Sequence, residues 1–404
     1  MIKKIIIPIL ILTFALLSCA NPSAGTGVPT FFKDAKAVYV GAYHTLVIDK
    51  DDKLWAWGAN DFGELGDGTT ISSSIPVPVG ENDEQKNMKW KTVSAGFGHT
   101  LAIDKDDRLW AWGANSFGQL GDGTTEQCNR PAQIGSDTWK VVSAGMYHTL
   151  AIDSDGKLWA WGANSDDQLG YTSLLYDDVY GLPYSHTPKP VEGVAGVQWE
   201  TVSAGFGHTL AIDKDDKIWT WGDNSFGQLG VGDTTSRNRP VKLTGEFAEY
   251  KWKAVYAGAG DYTVAIDKDD KIWTWGRNNM GQLGSGLTAD RSIPGQLTVE
   301  FAEYKWKSVS TFYEHTVAVD IDGKLWAWGR NWEGQLGIGS HDSSSHHTPI
   351  YIGDRWKAVF AGFVHTVAIK IDDVLWSWGD NSYGQLGSGS TTNSNIPKRV
   401  ILYR

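Results

Sequence analysis

Trp110-Ala-Trp-Gly-Ala-Asn-Ser-Phe-Gly-Gln-Leu-Gly121 is the stretch that decides the fold. Its Trp-x-Trp-Gly core occurs seven times, at Trp55–Gly58, Trp110–Gly113, Trp159–Gly162, Trp219–Gly222, Trp273–Gly276, Trp326–Gly329 and Trp376–Gly379, with spacings of 55, 49, 60, 54, 53 and 50 residues. A period of this length marks a solenoid or a propeller. Each copy runs on into an Asn and a Gly-Gln-Leu-Gly-like turn, and in five of the seven a Pro stands ten residues after the last Gly of that turn. Ahead of each copy lies a run such as Val202-Ser-Ala-Gly-Phe-Gly-His-Thr-Leu-Ala-Ile-Asp213.

Outward from the motif, each unit reads as four short antiparallel strands. In the second unit these are Lys91–Ala95, His99–Asp104, Leu109–Trp112 and a strand near Pro131, with the tight turn Lys105-Asp106-Asp107 between the second and third. Period-two alternation puts both Trp side chains of strand three on one sheet face. The residue between them is always small: Ala56, Ala111, Ala160, Thr220, Thr274, Ala327 and Ser377. Each sheet is therefore bulky on one face and thin on the other, so neighbouring sheets can interlock large against small. The expected fold is all-β, a seven-bladed β-propeller of four-stranded antiparallel blades over residues 35–404. With 47 Gly and 21 Trp in 404 residues, the composition suits short strands and tight turns. It excludes disorder, which is poor in aromatics.

The twelve-residue motif resembles the repeat of the regulator of chromosome condensation family, from about Ala35 to the C-terminus. The resemblance implies a seven-bladed propeller and is far less specific for function. Six units carry a Trp ahead of strand one (Trp90, Trp139, Trp199, Trp252, Trp306, Trp356), whereas the first has Ala35 there. The segment Ile396–Leu402 is expected to close the ring beside the first unit, because open sheet edges aggregate.

The N-terminus differs from the repeats. Met1-Ile2-Lys3-Lys4 is basic, and Ile5–Leu17 is apolar apart from Thr13 and Pro8, which is the pattern of a secretory signal over residues 1–18. The run is too short to cross a bilayer comfortably as a permanent helix. It ends in Leu16-Leu17-Ser18-Cys19, which resembles the lipobox of bacterial lipoproteins. That resemblance implies acylation of Cys19 and a stable membrane anchor. Ala20, where an Asp would favour inner-membrane retention, points to the outer membrane or cell surface. Residues 19–34 are expected to form a lipidated flexible tether, Asn21–Pro29 being small, polar and Pro/Gly-bearing.

The charge is −11, and removal of Lys3 and Lys4 would leave 34 basic against 47 acidic residues. An acidic surface repels phosphate, which argues against nucleic acid. The two cysteines are Cys19 and Cys128, so with Cys19 modified no disulfide framework exists. His44, His99, His148, His208, His315 and His365 share one repeat position, and Tyr262 takes it in the fifth unit after a one-residue insertion. A catalytic group must meet specific neighbours at one point, whereas a residue in every blade points in directions about 51° apart. These histidines are therefore expected to be structural, bonding the backbone of the neighbouring loop. His341, His346 and His347 lie in a Ser-rich tract without defined ligand spacing and read as a solvated loop. The Asp-rich turns, such as Asp49-Lys-Asp-Asp52, lack the length and Gly of a calcium loop, and Asp is a favoured turn residue. No helix follows the GxGxxG-like glycines, so a phosphate cradle is unsupported. No metal, cofactor or catalytic residue is assigned, and the chain is not expected to be an enzyme.

Antiparallel meander order assigns the loops to faces. The strand two-to-three turns and the four-to-one connections share one face. The one-to-two and three-to-four loops share the other, and the one-to-two loops bring Tyr43, Phe97, Tyr147, Phe206, Tyr262, Tyr313 and Phe363. The three-to-four loops add Phe62, Phe117, Phe226, Trp332 and Tyr383, a set expected to lean toward core although Trp332 is kept as a candidate binding residue, with Asp166 and Met280 at that place in the third and fifth units. The third unit also holds the insertion Gly170–Pro190, with Tyr171, Tyr176, Tyr180 and Tyr184. Variable loops on a rigid scaffold carry function, and aromatics make binding anchors. The expected role is a monomeric, membrane-anchored, non-enzymatic module of the bacterial cell envelope that binds a protein partner on this face. A resemblance to a secreted bacterial β-lactamase inhibitory protein with this kind of repeat implies the same kind of role. The alternatives are guanine-nucleotide exchange, as the eukaryotic family resemblance implies, and glycan or cell-wall binding.

Overall fold

A computed structural model describes residues 29–80, 82–173, 175–176 and 181–403. Cys19, the signal segment and Tyr180 lie outside the described residues. Among the described residues, no helix is long and apolar enough to cross a membrane.

Seven four-stranded antiparallel blades form the molecule, as the repeat predicts. The first consists of Ala35–Val40, His44–Asp49, Leu54–Gly58 and Ser73–Pro78, paired in that order. Blades two and three share one long strand, Cys128–Ala144. Its first part pairs with strand three of blade two (Ala111 with Ala132), and its end pairs with strand two of blade three (Thr149 with Ala144). The first strands of all seven blades line an axial channel of about 340 Å³.

Tryptophan pairing explains the stacking. Between blades one and two, Leu46, Ile48, Leu54 and Ala56 from the thin face meet Trp90, Val93 and Trp112 from the bulky face. The second Trp of each motif is buried, and its indole N–H donates to the carbonyl of the Gln or Glu in the preceding blade's turn, as Trp112 does to Glu64 at 2.9 Å. The same 2.9 Å bond recurs seven times around the ring, ending with Trp57 to Gln385 across the closure. In six blades the first Trp donates to the Asp that opens the two-to-three turn, as Trp110 does to Asp104 at 2.9 Å. The other oxygen of that Asp accepts two turn amides, from Asp106 and Arg108. The Asp-rich turns are therefore turn caps. In blade seven Lys370 replaces the Asp and lies 4.8 Å from the Trp376 ring, and the Trp376 indole N–H has no partner.

The histidines form a buried belt, although not through the backbone bonds expected from the sequence. Each Nε2 reaches a threonine hydroxyl in the next blade: His44 to Thr100 at 3.1 Å, His99 to Thr149 at 3.2 Å, and so on to His365 and Thr45 at 3.4 Å. The threonines themselves bond backbone, as Thr100 does to the Glu64 carbonyl at 2.9 Å. A hydroxyl has one proton, so with that proton committed the histidine must donate from Nε2. Five of the six rings lie over the glycine three residues earlier, and His315 has Phe312 there instead. A Cβ on Gly41 would sit 2.3 Å from the His44 ring, so only glycine fits there. Burial pushes His44, His99, His148 and His315 down to about 3, and His208 and His365 to about 4. All six are neutral at physiological pH.

Closure of the ring differs in detail from the expectation. Ser394–Arg399 is blade seven's own fourth strand, and only Ile401–Tyr403 reaches back, pairing with Pro29–Phe31. Residues 29–31, expected to belong to a tether, are paired in that ribbon. Phe32 follows it, fully buried, with ring centroids 6.3 and 6.1 Å from Trp55 and Trp57. Phe32 thus fills the place that Trp90 takes against Trp110 and Trp112 in blade two. Ala35 holds the tryptophan's strand position, opposite Asp49 as Trp90 is opposite Asp104, and Phe32 supplies the ring.

Candidate protein-binding face

The one-to-two loops converge on the mouth of the channel, where main-chain bonds join them to each other. The Ala42 amide donates to the Gly96 carbonyl at 3.1 Å, Met146 to Gly205 at 3.0 Å, and Phe363 to Ala42 at 3.0 Å. On this framework six aromatic side chains form a collar. In ring order, Tyr313 stacks on Phe363 at 3.9 Å, Phe363 meets Tyr43 at 5.4 Å, and Tyr43 meets Phe97 at 6.1 Å. Phe97 meets Tyr147 at 5.9 Å, and Tyr147 meets Phe206 at 6.4 Å. These separations are within the range of favourable ring pairs. Five of the six are half-buried, and Phe206 is 36% exposed.

Tyr262 does not belong to the collar, which corrects its assignment to the binding face. Its side chain is wholly buried and replaces the missing histidine in the belt, with its hydroxyl donating to the His315 carbonyl at 2.8 Å and lying 3.0 Å from Thr316 Oγ1. A phenol is longer than an imidazole, so it reaches that carbonyl as well as the threonine. Blade five consequently contributes no ring to the mouth and places Gly260-Asp261 there.

The three-to-four loops lie outside the collar on the same face, and there the expectation of core is only half met. Phe62 and Tyr383 are 40% exposed and Trp332 is 46% exposed, while Phe117 and Phe226 are half-buried. Tyr383 touches Tyr43 at 5.4 Å and Phe117 touches Tyr147 at 5.5 Å, which joins this outer set to the collar. In the insertion Tyr176 is 59% exposed, but Tyr171 is core, its hydroxyl donating to the Ala160 carbonyl at 2.8 Å.

The same face carries charged groups, including Asp380 near Tyr43 in blade seven. Asp166, Asp223, Asp261 and Glu314 come from blades three to six, with Arg277 and Arg330 among them. Burial, then the nearby Asp223 carboxylate, pushes Asp166 up to about 6 and Asp261 up to about 7. Arg277 is 4.0 Å from Asp261 and stacks over Phe226 at 4.9 Å. Arg330 bonds Glu314 at 3.3 Å and Glu333 at 3.2 Å and stacks over Trp332 at 4.2 Å. Among the described residues no three His, Cys, Asp or Glu side chains gather as metal ligands. His346 instead pairs with Asp342 at 3.3 Å, and His347 with Ser345 at 2.9 Å.

The RCC1-like domain matches residues 19–357, and RCC1 repeats match 356–385 and 372–403. The chain belongs to the RCC1-like domain family. Among its relatives is the ultraviolet-B receptor UVR8 of Arabidopsis thaliana, 30% identical over 75% of this chain and 67% of that protein. Another is the human E3 ubiquitin-protein ligase HERC2, 28% identical over 74% of this chain but only 6% of its own length. Human WBSCR16 superposes with a TM-score of 0.75 at 23% identity, covering 86% of this chain and 94% of that one. Prp20p of Saccharomyces cerevisiae, characterised for binding to Gsp1p and histones, superposes at 0.73 with 22% identity, covering 89% and 87%. The two structures establish the RCC1 fold. The RCC1-like propeller is mainly a binding or regulatory domain that mediates protein interactions.

The six collar rings and Asp166 lie in the loops that the sequence places on this face, whereas nothing in the motif singles out Asp261 or Asp223. The available signal was the one-residue insertion in the fifth unit, which places an acid where the other loops carry a ring.

Proposed function

We propose that this chain is a non-enzymatic, protein-binding propeller of the bacterial cell envelope, anchored by a lipid on Cys19, that captures a protein partner at the mouth of its axial channel. The observation carrying this reading is the collar: six neighbouring aromatic rings on loops already bonded to one another. A pre-ordered surface loses little entropy on binding, and clustered aromatics are typical interface anchors. The anchor geometry fits. Phe32 accepts from the amide of Leu375, just after blade seven's two-to-three turn, so the chain enters the ring at the face opposite the collar. A lipid ten residues before Pro29 then leaves the collar pointing away from the membrane. The partner-binding protein acts as a monomer.

A photo-reactive phenylalanine analogue at Phe206, with a second at Ile321 on the opposite face as control, tests the reading in intact cells. A discrete adduct from position 206, absent in Y43A/F97A/F363A, is expected. Equal adducts from both positions, or adducts that survive the triple substitution, refute it. Palmitate labelling that persists in Cys19→Ala refutes the anchor.

A further inference from the structure

The collar is not symmetric. Six of its seven places hold aromatic rings and the seventh, in blade five, holds Asp261. That gap is built into the backbone. A Cβ on Gly260 would lie 1.6 Å from the Tyr313 carbonyl oxygen, so no side chain can stand there. The inserted Asp261 takes a left-handed conformation at φ 60°, which Asp tolerates better than most residues. Beside the gap, Asp166 packs on Gly207, whose added Cβ would be 2.8 Å from its carboxylate, and so adjoins Phe206 at the end of the aromatic arc. Asp223 is next, its amide donating to the Gly207 carbonyl at 2.8 Å.

The gap is under-neutralised. Asp261 has one nearby cation, Arg277 at 4.0 Å, and its second oxygen is buried without a partner. Asp166 has a bond to its neighbour Ser165 at 3.2 Å. The same rim shows which cation suits this setting, since Arg277 and Arg330 both sit over rings while facing carboxylates. Guanidinium does both at once, whereas an ammonium on a flexible stem does so less well.

We infer that the partner presents a protein loop with an arginine beside an aromatic or large aliphatic residue. The guanidinium seats in the gap between Asp166 and Asp261, stacked at its edge on Phe206, and the apolar neighbour lies on the Phe97, Tyr43 and Phe363 rings. This rests on the protein-binding reading and names the chemistry of its partner.

The probe is a disulfide-constrained random peptide library selected on the mature protein. Enrichment of arginine next to an aromatic or large aliphatic residue is expected. So is at least tenfold weaker binding of the selected peptides to the near-isosteric D166N/D261N, a loss of about 1.4 kcal/mol, with affinity falling as salt rises. The unfolding midpoint of D166N/D261N verifies that it is folded. Selected peptides that need Tyr43 and Phe97 but lack arginine, or that bind D166N/D261N unchanged, overturn this inference and leave the protein-binding reading standing. No selected peptides, or peptides indifferent to Y43A/F97A/F363A, overturn both. Enrichment of lysine alone, bound without dependence on Phe206, also overturns the inference.

Discussion

Lowering the pH should unfold this propeller through its own histidine belt. The six belt histidines are buried and neutral, with folded pKa values of about 3 or 4, against about 6.5 in an unfolded chain. Between those values the unfolded state holds protons that the folded state refuses, so stability falls as pH falls. From pH 7 to pH 5 each histidine costs about 2 kcal/mol, and the six together about 11 kcal/mol. Glu64, Asp166 and Asp261 work the other way, burial having raised them to about 7, 6 and 7. Folded, they take up protons that the unfolded carboxyls do not, and they return about 6 kcal/mol over the same interval. The net loss is about 5 kcal/mol by pH 5, which rivals the whole stability of many domains. Tryptophan fluorescence and circular dichroism against pH, repeated at several urea concentrations, give both midpoint and proton uptake. A midpoint between about pH 4 and 5, with net uptake of about three protons, is expected. His99→Gln can still donate to Thr149 and should lower the uptake by one. A protein still folded at about pH 3, or an uptake unchanged in His99→Gln, would refute the reasoning, since either means that the belt does not titrate as a buried neutral set.

Other outcomes follow from the same geometry. Trp110→Phe removes one charged hydrogen bond from Asp104, which keeps Arg108 and two turn amides, and should cost about 1.5–3 kcal/mol in urea unfolding, whereas Trp376→Phe, whose indole N–H has no partner, should cost far less. Phe32→Ala empties the slot against Trp55 and Trp57 and should cost about 3–5 kcal/mol, visible as a lower thermal midpoint. Binding of an arginine-bearing partner should weaken as pH falls from about 8 to 5.5, because Asp261 and Asp166 lose charge there. Titration calorimetry measures it, and an affinity constant across that range contradicts the acidic gap.

The fold was legible because each strand-three motif carries its own packing instruction, two indoles separated by one small residue. The faces were legible because antiparallel order leaves no other arrangement of the loops. The belt's true partners were hidden, since His44 and Thr100 are 56 residues apart and meet only when blades stack. Phe32 was hidden for a similar reason. It lies ahead of the first repeat and enters the motif's slot from the ribbon that pairs Pro29–Phe31 with Ile401–Tyr403, which no local pattern announces. Burial of Phe62 and Tyr383 was not legible because loop aromatics at equivalent positions meet different neighbours in each blade.

Blade five explains why the departure from the repeat and the candidate specificity feature fall together. An added residue in a one-to-two loop moves the residue that follows, so a histidine there would no longer meet its threonine as the others do. Tyr262 restores the tie from a longer side chain, reaching both Thr316 and the His315 carbonyl. With the belt intact, the inserted position is released from structural duty and can hold an acid at the channel mouth, where every other blade offers a ring. The tyrosine and the aspartate are thus parts of one change. Deleting Asp261 alone should leave Tyr262 overreaching and destabilise the ring, whereas Asp261→Asn should raise stability at neutral pH, because burial already disfavours the charge it removes.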